Sequence, residues 1–160
     1  MRIINIFLFT AISFISINNF AVFAQEDEVR EVLESIGGEL TQALLAGDYE
    51  KIMTHFTDDI IVFPVFDPPI KGKRAYREAV KKAKEKGIQY QSMSGSSIEM
   101  WECGSMVYDI GKFGMSLVTK ESPKPMAYYG SYFHVWQKQS DGSYKLKYMM
   151  SNLDFNPFEK

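Results

Sequence analysis

Histidine is the side chain whose ordinary pKa, about 6.5, best suits proton transfer near neutrality. This sequence of 160 residues holds two, His55 and His134. His134 lies in the stretch Tyr128-Tyr129-Gly130-Ser131-Tyr132-Phe133-His134-Val135-Trp136. In an extended chain, residues two apart share a face, so Tyr128, Tyr132, His134 and Trp136 stand together, with Tyr129, Phe133 and Val135 opposite. Both faces are apolar enough to be covered, and alternation alone leaves open which of them lines a cavity. On the first face, His134 is an imidazole flanked by phenols, placed to act as a general base with Tyr132 or Tyr128 donating a hydrogen bond. A core histidine satisfied by a tyrosine hydroxyl or a backbone carbonyl would carry the same pattern.

A second titratable group sits in Tyr108-Asp109-Ile110-Gly111-Lys112-Phe113. If Lys112 points to solvent, Asp109, Gly111, Phe113 and Met115 point inward. A buried carboxylate without a partner is costly and must pair or shift its pKa upward. An Asp109–His134 couple would be an acid/base pair, although a one-residue slip in strand register sends Asp109 to the other face as a rim carboxylate. Asn152 alternates with Tyr144, Leu146, Tyr148 and Met150, which makes it a polar group for a pocket mouth. His55 follows Ile52 and Met53 and belongs at a helix end, and Asp67 in Asp67-Pro68-Pro69 reads as a turn carboxylate. The expected set is therefore His134, Asp109 and Tyr132 for chemistry, and Tyr128, Trp136, Tyr148, Asn152 and Phe113 for ligand contact. No phosphate-cradling glycine loop, nucleophile elbow or metal-ligand spacing occurs, so no cofactor and no metal are expected. Cys103, the single cysteine, can form no internal disulfide.

The elements that must position these groups follow from periodicity. Val29, Val32, Leu33, Ile36, Leu40, Ala43 and Leu44 recur at helical spacing, interrupted by Gly37-Gly38. Gly47 can end that helix and Asp48 can cap a short second one carrying Tyr49, Ile52, Met53 and Phe56. A strand over Ile60–Phe63 stops at Pro64, and a third helix runs from Gly72 to Lys86. Its cluster Lys81, Lys82, Lys84 and Lys86 suits solvent and the helix dipole. After Gly87 the period becomes two, with strands near Ile88–Met93, Ser97–Glu102, Met106–Val118, Met126–Gln137 and Tyr144–Asp154. The first two can be one strand bent around Gly95. Helices followed by a curved antiparallel sheet make an α+β fold.

The start of the chain reads differently. Arg2 precedes an apolar run from Ile3 to Ile17, and Val22-Phe23-Ala24 has the small-residue spacing of a cleavage site. A membrane anchor needs about 20 apolar residues, more than this run supplies. The sequence thus predicts a signal peptide over 1–24, cleaved after Ala24, and a single domain over 25–160 in the periplasm or secreted. No membrane association is expected after cleavage. Eighteen basic against 20 acidic residues give a net charge of −2, which disfavours nucleic acid as a partner.

Several local signatures share an order and spacing. They are Ala43-Leu44-Leu45-Ala46-Gly47-Asp48, His55-Phe56-Thr57-Asp58-Asp59-Ile60, Lys71-Gly72-Lys73, Tyr108 to Phe113, Val135-Trp136-Gln137-Lys138, Asp141 to Leu146, and Asn152. Together they resemble the SnoaL-like domains, which are similar to steroid delta-isomerases and nuclear transport factor two. The resemblance spans about Val29 to Asp154. It implies a cone-shaped α+β barrel, often a homodimer, with an apolar pocket between helices and sheet and the Trp136 side facing in. It does not supply a reaction, because the architecture hosts isomerases, dehydratases, cyclases and binders. The isomerase's oxyanion-donating tyrosine falls near Leu40 and its aspartate base near Pro64, neither able to serve. Its protonated acid falls near Tyr132 or His134. Steroid isomerisation is therefore not expected.

Three functions remain: a binder of a small apolar or aromatic ligand, a proton-transfer enzyme of isomerase or lyase type using His134, or a dimer joined through the outer sheet face. The abundance of Tyr, Phe, Met and Trp provides adaptable pocket lining and favours the first.

Overall fold

In the computed structural model, residues 27–65 and 67–155 are described, and the expected signal peptide lies outside them. The chain divides into two compact units, Met1–Glu34 and Ser35–Lys160. In the first, residues 27–34 are helical. The second opens with a helix over 35–46 (α1), which continues through Gly37 and Gly38 without interruption. Gly47 ends it at φ 67°, a left-handed conformation that costs glycine nothing. Asp48 then caps Tyr49–Thr54 (α2), accepting a hydrogen bond from the Lys51 amide at 3.0 Å. His55 closes α2, its ring nitrogen 3.6 Å from the Glu39 carboxylate.

Six strands follow or interleave with one more helix. They are Phe56–Phe63 (β1), Ile70–Lys71 (β2), Gln89–Cys103 (β3), Met106–Val118 (β4), Met126–Lys138 (β5) and Tyr144–Leu153 (β6), with Gly72–Glu85 (α3) after β2. They form one open sheet in the order β2-β1-β6-β5-β4-β3. The fold class is α+β. One pairing departs from the antiparallel sheet expected: β1 runs parallel to β6. β1 also starts earlier than Ile60, because the His55 carbonyl accepts from the Leu146 amide at 2.8 Å and draws Phe56 into register with Leu146. β3 is a single strand whose register shifts between Tyr90 and Ser92 and again between Ser97 and Glu99.

The two faces of this sheet differ. Phe56, Ile60, Val62, Val107, Trp136 and Leu146 are buried. α3 packs on this side, where Tyr76 meets Phe56 edge to face with ring centroids 5.1 Å apart. The opposite side carries an apolar band. Trp101 stacks on Tyr108 at 5.3 Å, Tyr108 on Phe133 at 6.1 Å, and Tyr148 and Met150 continue the band across β6. Trp101, Tyr148 and Met150 are exposed there.

Candidate functional site

The chemistry-bearing residues are brought together by the register of β3 to β6. Asp109 on β4 stands opposite His134 on β5, which stands opposite Met149 on β6, while Met100 on β3 faces Asp109 from the other side. Directly opposed residues share a face, so these four form one row across the inner side of the sheet. The next row is Ser97, Gly111, Tyr132 and Ser151, and the one beyond His134 holds Val107, Trp136 and Leu146. Phe113 and Tyr128 lie on the same face further along, with Phe113 buried and the Tyr128 hydroxyl 3.6 Å from the Met126 sulfur. The register question left open by the sequence is thereby answered: Asp109 and His134 are cross-strand neighbours.

Asp109 is 6% exposed and its Oδ1 accepts from Ser97 Oγ at 2.7 Å and from the Tyr132 hydroxyl at 3.4 Å. Tyr132 reaches it because Gly111, beneath the ring, has no side chain; a Cβ there would occupy the space of the phenol and of the Ser96 carbonyl. The Tyr132 ring in turn stacks on His134, with centroids 4.3 Å apart and planes 25° from parallel. Trp136 meets the other side of His134 edge-on at 6.2 Å and 84°. Enclosed by these rings, the imidazole has lost most of its hydration. Burial lowers its pKa to about 4, which makes it neutral at pH 7. Its ring contacts are with these two aromatic side chains.

Tyr148 and Asn152 stand elsewhere than expected. Tyr148 pairs with Val135 and Asn152 with Ser131, both on the outer face, away from His134. The cause is a bulge. Trp136 pairs with Leu146 and Val135 with Tyr148, so one extra residue, Lys147, shifts the alternation in β6. From Tyr148 onward the inward positions are Met149, Ser151 and Leu153. Gly111 faces inward as expected, and Ser97 joins the site without having been among the expected residues. Gly111 shares parity with Asp109 and was legible as a gap, whereas Ser97 comes into line only through the register of β3.

Two grooves border α3. One runs beside Tyr49, Glu50, Arg77 and Lys84, where Arg77 grips the Glu50 carboxylate with two bonds of 3.1 and 3.0 Å and the Lys84 ammonium lies 5.0 Å from the Tyr49 ring centre. Neither groove shares a residue with the His134 row. Among the described residues, no three His, Cys, Asp or Glu side chains converge as a metal site. Cys103 is exposed.

No protein-family model matches the sequence, and no curated protein matches it. Solved structures do. A ketosteroid isomerase-like protein from Erwinia carotovora atroseptica superposes with a TM-score of 0.69 at 14% identity, covering 79% of this chain and 96% of that one. The fold is that of the SnoaL-like and ketosteroid isomerase-like domains. ActVI-ORFA from Streptomyces coelicolor has the same SnoaL-like fold, with a TM-score of 0.68 at 15% identity over 79% of this chain and 98% of that one. So does a Catenulispora acidiphila protein solved in complex with S-DNPA, with a TM-score of 0.68 at 15% identity over 80% and 95%.

Proposed function

We propose that this SnoaL-like chain is an exported small-molecule pocket protein whose inner sheet face binds a small apolar or aromatic ligand. The observation that carries this reading is His134: an imidazole that burial keeps neutral, set among aromatic rings and thioethers on the inner face of the sheet. A ligand with a hydrogen-bonding group can engage that imidazole while its apolar body meets the rings. Met93, Met100, Met115 and Met149 share the face and are half-buried, and their flexible thioethers adapt to ligand shape. That a similarly folded protein was solved with S-DNPA bound is consistent with such a role. A thermal-shift screen of small lipophilic phenols and ketones on wild type and His134→Ala tests the reading. Compounds should stabilise wild type and stabilise the variant less; a screen without any stabilising compound would refute it.

A second reading, proton transfer with His134 as base, is favoured by the Asp109 carboxylate opposite it. Its weakness is basicity. With a pKa of about 4, His134 is a poorer proton acceptor than an ordinary imidazole by roughly 3 kcal/mol. Turnover of a bound compound that disappears in His134→Ala while binding persists would establish the enzyme.

The outer band from Trp101 through Phe133 to Tyr148 and Met150 is the surface proposed to join two copies of the chain. Tyr148→Glu should convert a dimer to monomer in sedimentation velocity; a monomeric wild type would refute this. The leader over 1–24 supports export. The exported protein should begin at Gln25 by intact mass, and a mass retaining the leader would refute cleavage after Ala24.

A further inference from the structure

Between Lys71 and Lys86 the chain places eight basic residues and two acidic ones, although its net charge is −2. Lys73 pairs with Asp58, Arg77 with Glu50, and Lys84 lies over the Tyr49 ring. Lys71, Arg74, Lys82 and Lys86 form no ion pair among the described residues. These four line one groove along α3, bounded by Asp67, Pro69 and Ile70 near the helix start and by Ile88 beyond its end. The macrodipole favours cations in a last helical turn, which accounts for Lys82 and Lys86. It does not account for Lys71 and Arg74. They stand at the positive end of α3, where no acidic residue occupies the first turn and no side chain caps the helix.

The groove holds about 940 Å³ and its floor is low and apolar, with Ala75, Ala79 and Ala83 at four-residue intervals between Ile70 and Ile88. Side chains this small let another backbone lie close to the helix. Along the rim, Arg74, Glu78, Lys82 and Lys86 also recur every four residues, about 6 Å of helix rise per step. In an extended chain, side chains on one face recur about every 6.6 Å. The two spacings match, and the long basic side chains absorb the small difference over three steps. Carboxylates at alternate positions of an extended peptide therefore meet Arg74, Lys82 and Lys86 in turn, while the residues between them turn to the alanine floor. A molecule with one carboxylate, such as a fatty acid, reaches only part of this row. Glu78 breaks the row and favours a neutral or basic residue opposite it.

We propose that this groove docks an extended acidic segment of a partner polypeptide, with carboxylates at alternate positions and small or apolar residues between them. The groove shares no residue with the His134 row, so the proposal stands apart from the inner-face pocket. Fluorescence anisotropy at low salt tests it with a labelled octapeptide of alternating glutamate and valine and with its glutamine counterpart. Co-sedimentation with phosphatidylglycerol vesicles serves as a third arm. The glutamate peptide should bind about tenfold or more tightly than the glutamine one, and should weaken as added salt screens the contact. Arg74→Glu and Lys82→Glu should each cost about tenfold in affinity. Lys81→Glu changes the net charge equally but borders the other groove, and should cost less than about threefold. Ala75 is exposed, so Ala75→Leu fills the groove without touching the core and should also weaken binding. Equal affinity for the glutamine peptide, an equal loss in Lys81→Glu, or no binding at millimolar peptide overturns the proposal. Sedimentation with vesicles in the absence of peptide binding also overturns it, and assigns the basic row to a membrane surface instead.

Discussion

Replacing His134 with glutamine should remove a specific part of the protein's acid sensitivity. In the folded chain, burial holds the imidazole at a pKa of about 4, against 6.5 for an ordinary histidine. The unfolded chain therefore takes up a proton as pH falls through 6.5, whereas the folded chain does not until near 4. Stability from this group is intact above pH 6.5, declines between 6.5 and 4, and falls no further below 4. At about 1.4 kcal/mol per pKa unit, the loss across that window is about 3 kcal/mol. For a domain stable by about 5–15 kcal/mol this is a large share. The carboxylates of Glu50, Asp58, Asp59 and Asp141 are held below the usual range by hydrogen bonds from Arg77, Lys73, Lys147 and Ser143. Their stabilisation begins to fade at about pH 5 as the unfolded chain takes up protons, but they are common to both proteins and cancel in the comparison. Urea unfolding of wild type and His134→Gln at half-unit steps from pH 4 to 7.5 would read the effect. The two stability curves should converge toward pH 4 from the neutral side, by about 3 kcal/mol relative to their offset at pH 7.5. Curves that run parallel across the window would refute the reasoning, since they would mean that His134 is hydrated in the folded protein.

Three further perturbations follow from particular contacts. Gly111→Ala should cost about 1–3 kcal/mol in urea unfolding, because its methyl evicts Tyr132 from above β4. The same variant should raise the His134 pKa in an NMR titration as the stacked phenol leaves. Ser97→Ala removes the shorter hydrogen bond to Asp109 and should destabilise by about 1–2 kcal/mol, with Ser97→Thr largely restoring stability in the same assay. Asp48→Ala should lower stability by about 1 kcal/mol through loss of the α2 cap, and Asp48→Asn should retain most of it.

Local rules carried much of the fold. Gly47 and Asp48 announce a helix end and a cap because both act within a few residues, and both behave so here. The period-two stretches from Met106 and from Met126 are long enough that their bounds stand within a residue of the observed strands. The site was legible as composition, with His134, Tyr132 and Trp136 two apart on one strand. Its pairing with Asp109 was not, since the turn from Thr119 to Pro125 admits several registers and only contacts between distant segments choose among them. The misplaced pair, Tyr148 and Asn152, shows the same limit. A bulge at Lys147 is a property of how β6 meets β5, and no residue in the sequence marks it.

The position of β6 has a consequence for how the chain is made. It is last in sequence among the strands yet lies between β1 and β5, and it alone joins them. Until Tyr144 to Leu153 has been delivered, β1 with β2 and the β3–β4–β5 meander are separate pieces, each presenting a bare row of amide and carbonyl groups. Closing the sheet then requires Phe56 to find Leu146 across most of the domain's length, a contact whose loop entropy makes it slow. A ribosome-bound chain thus cannot complete its sheet early, and a copy truncated before β6 would carry two sticky margins ready to pair with its neighbours.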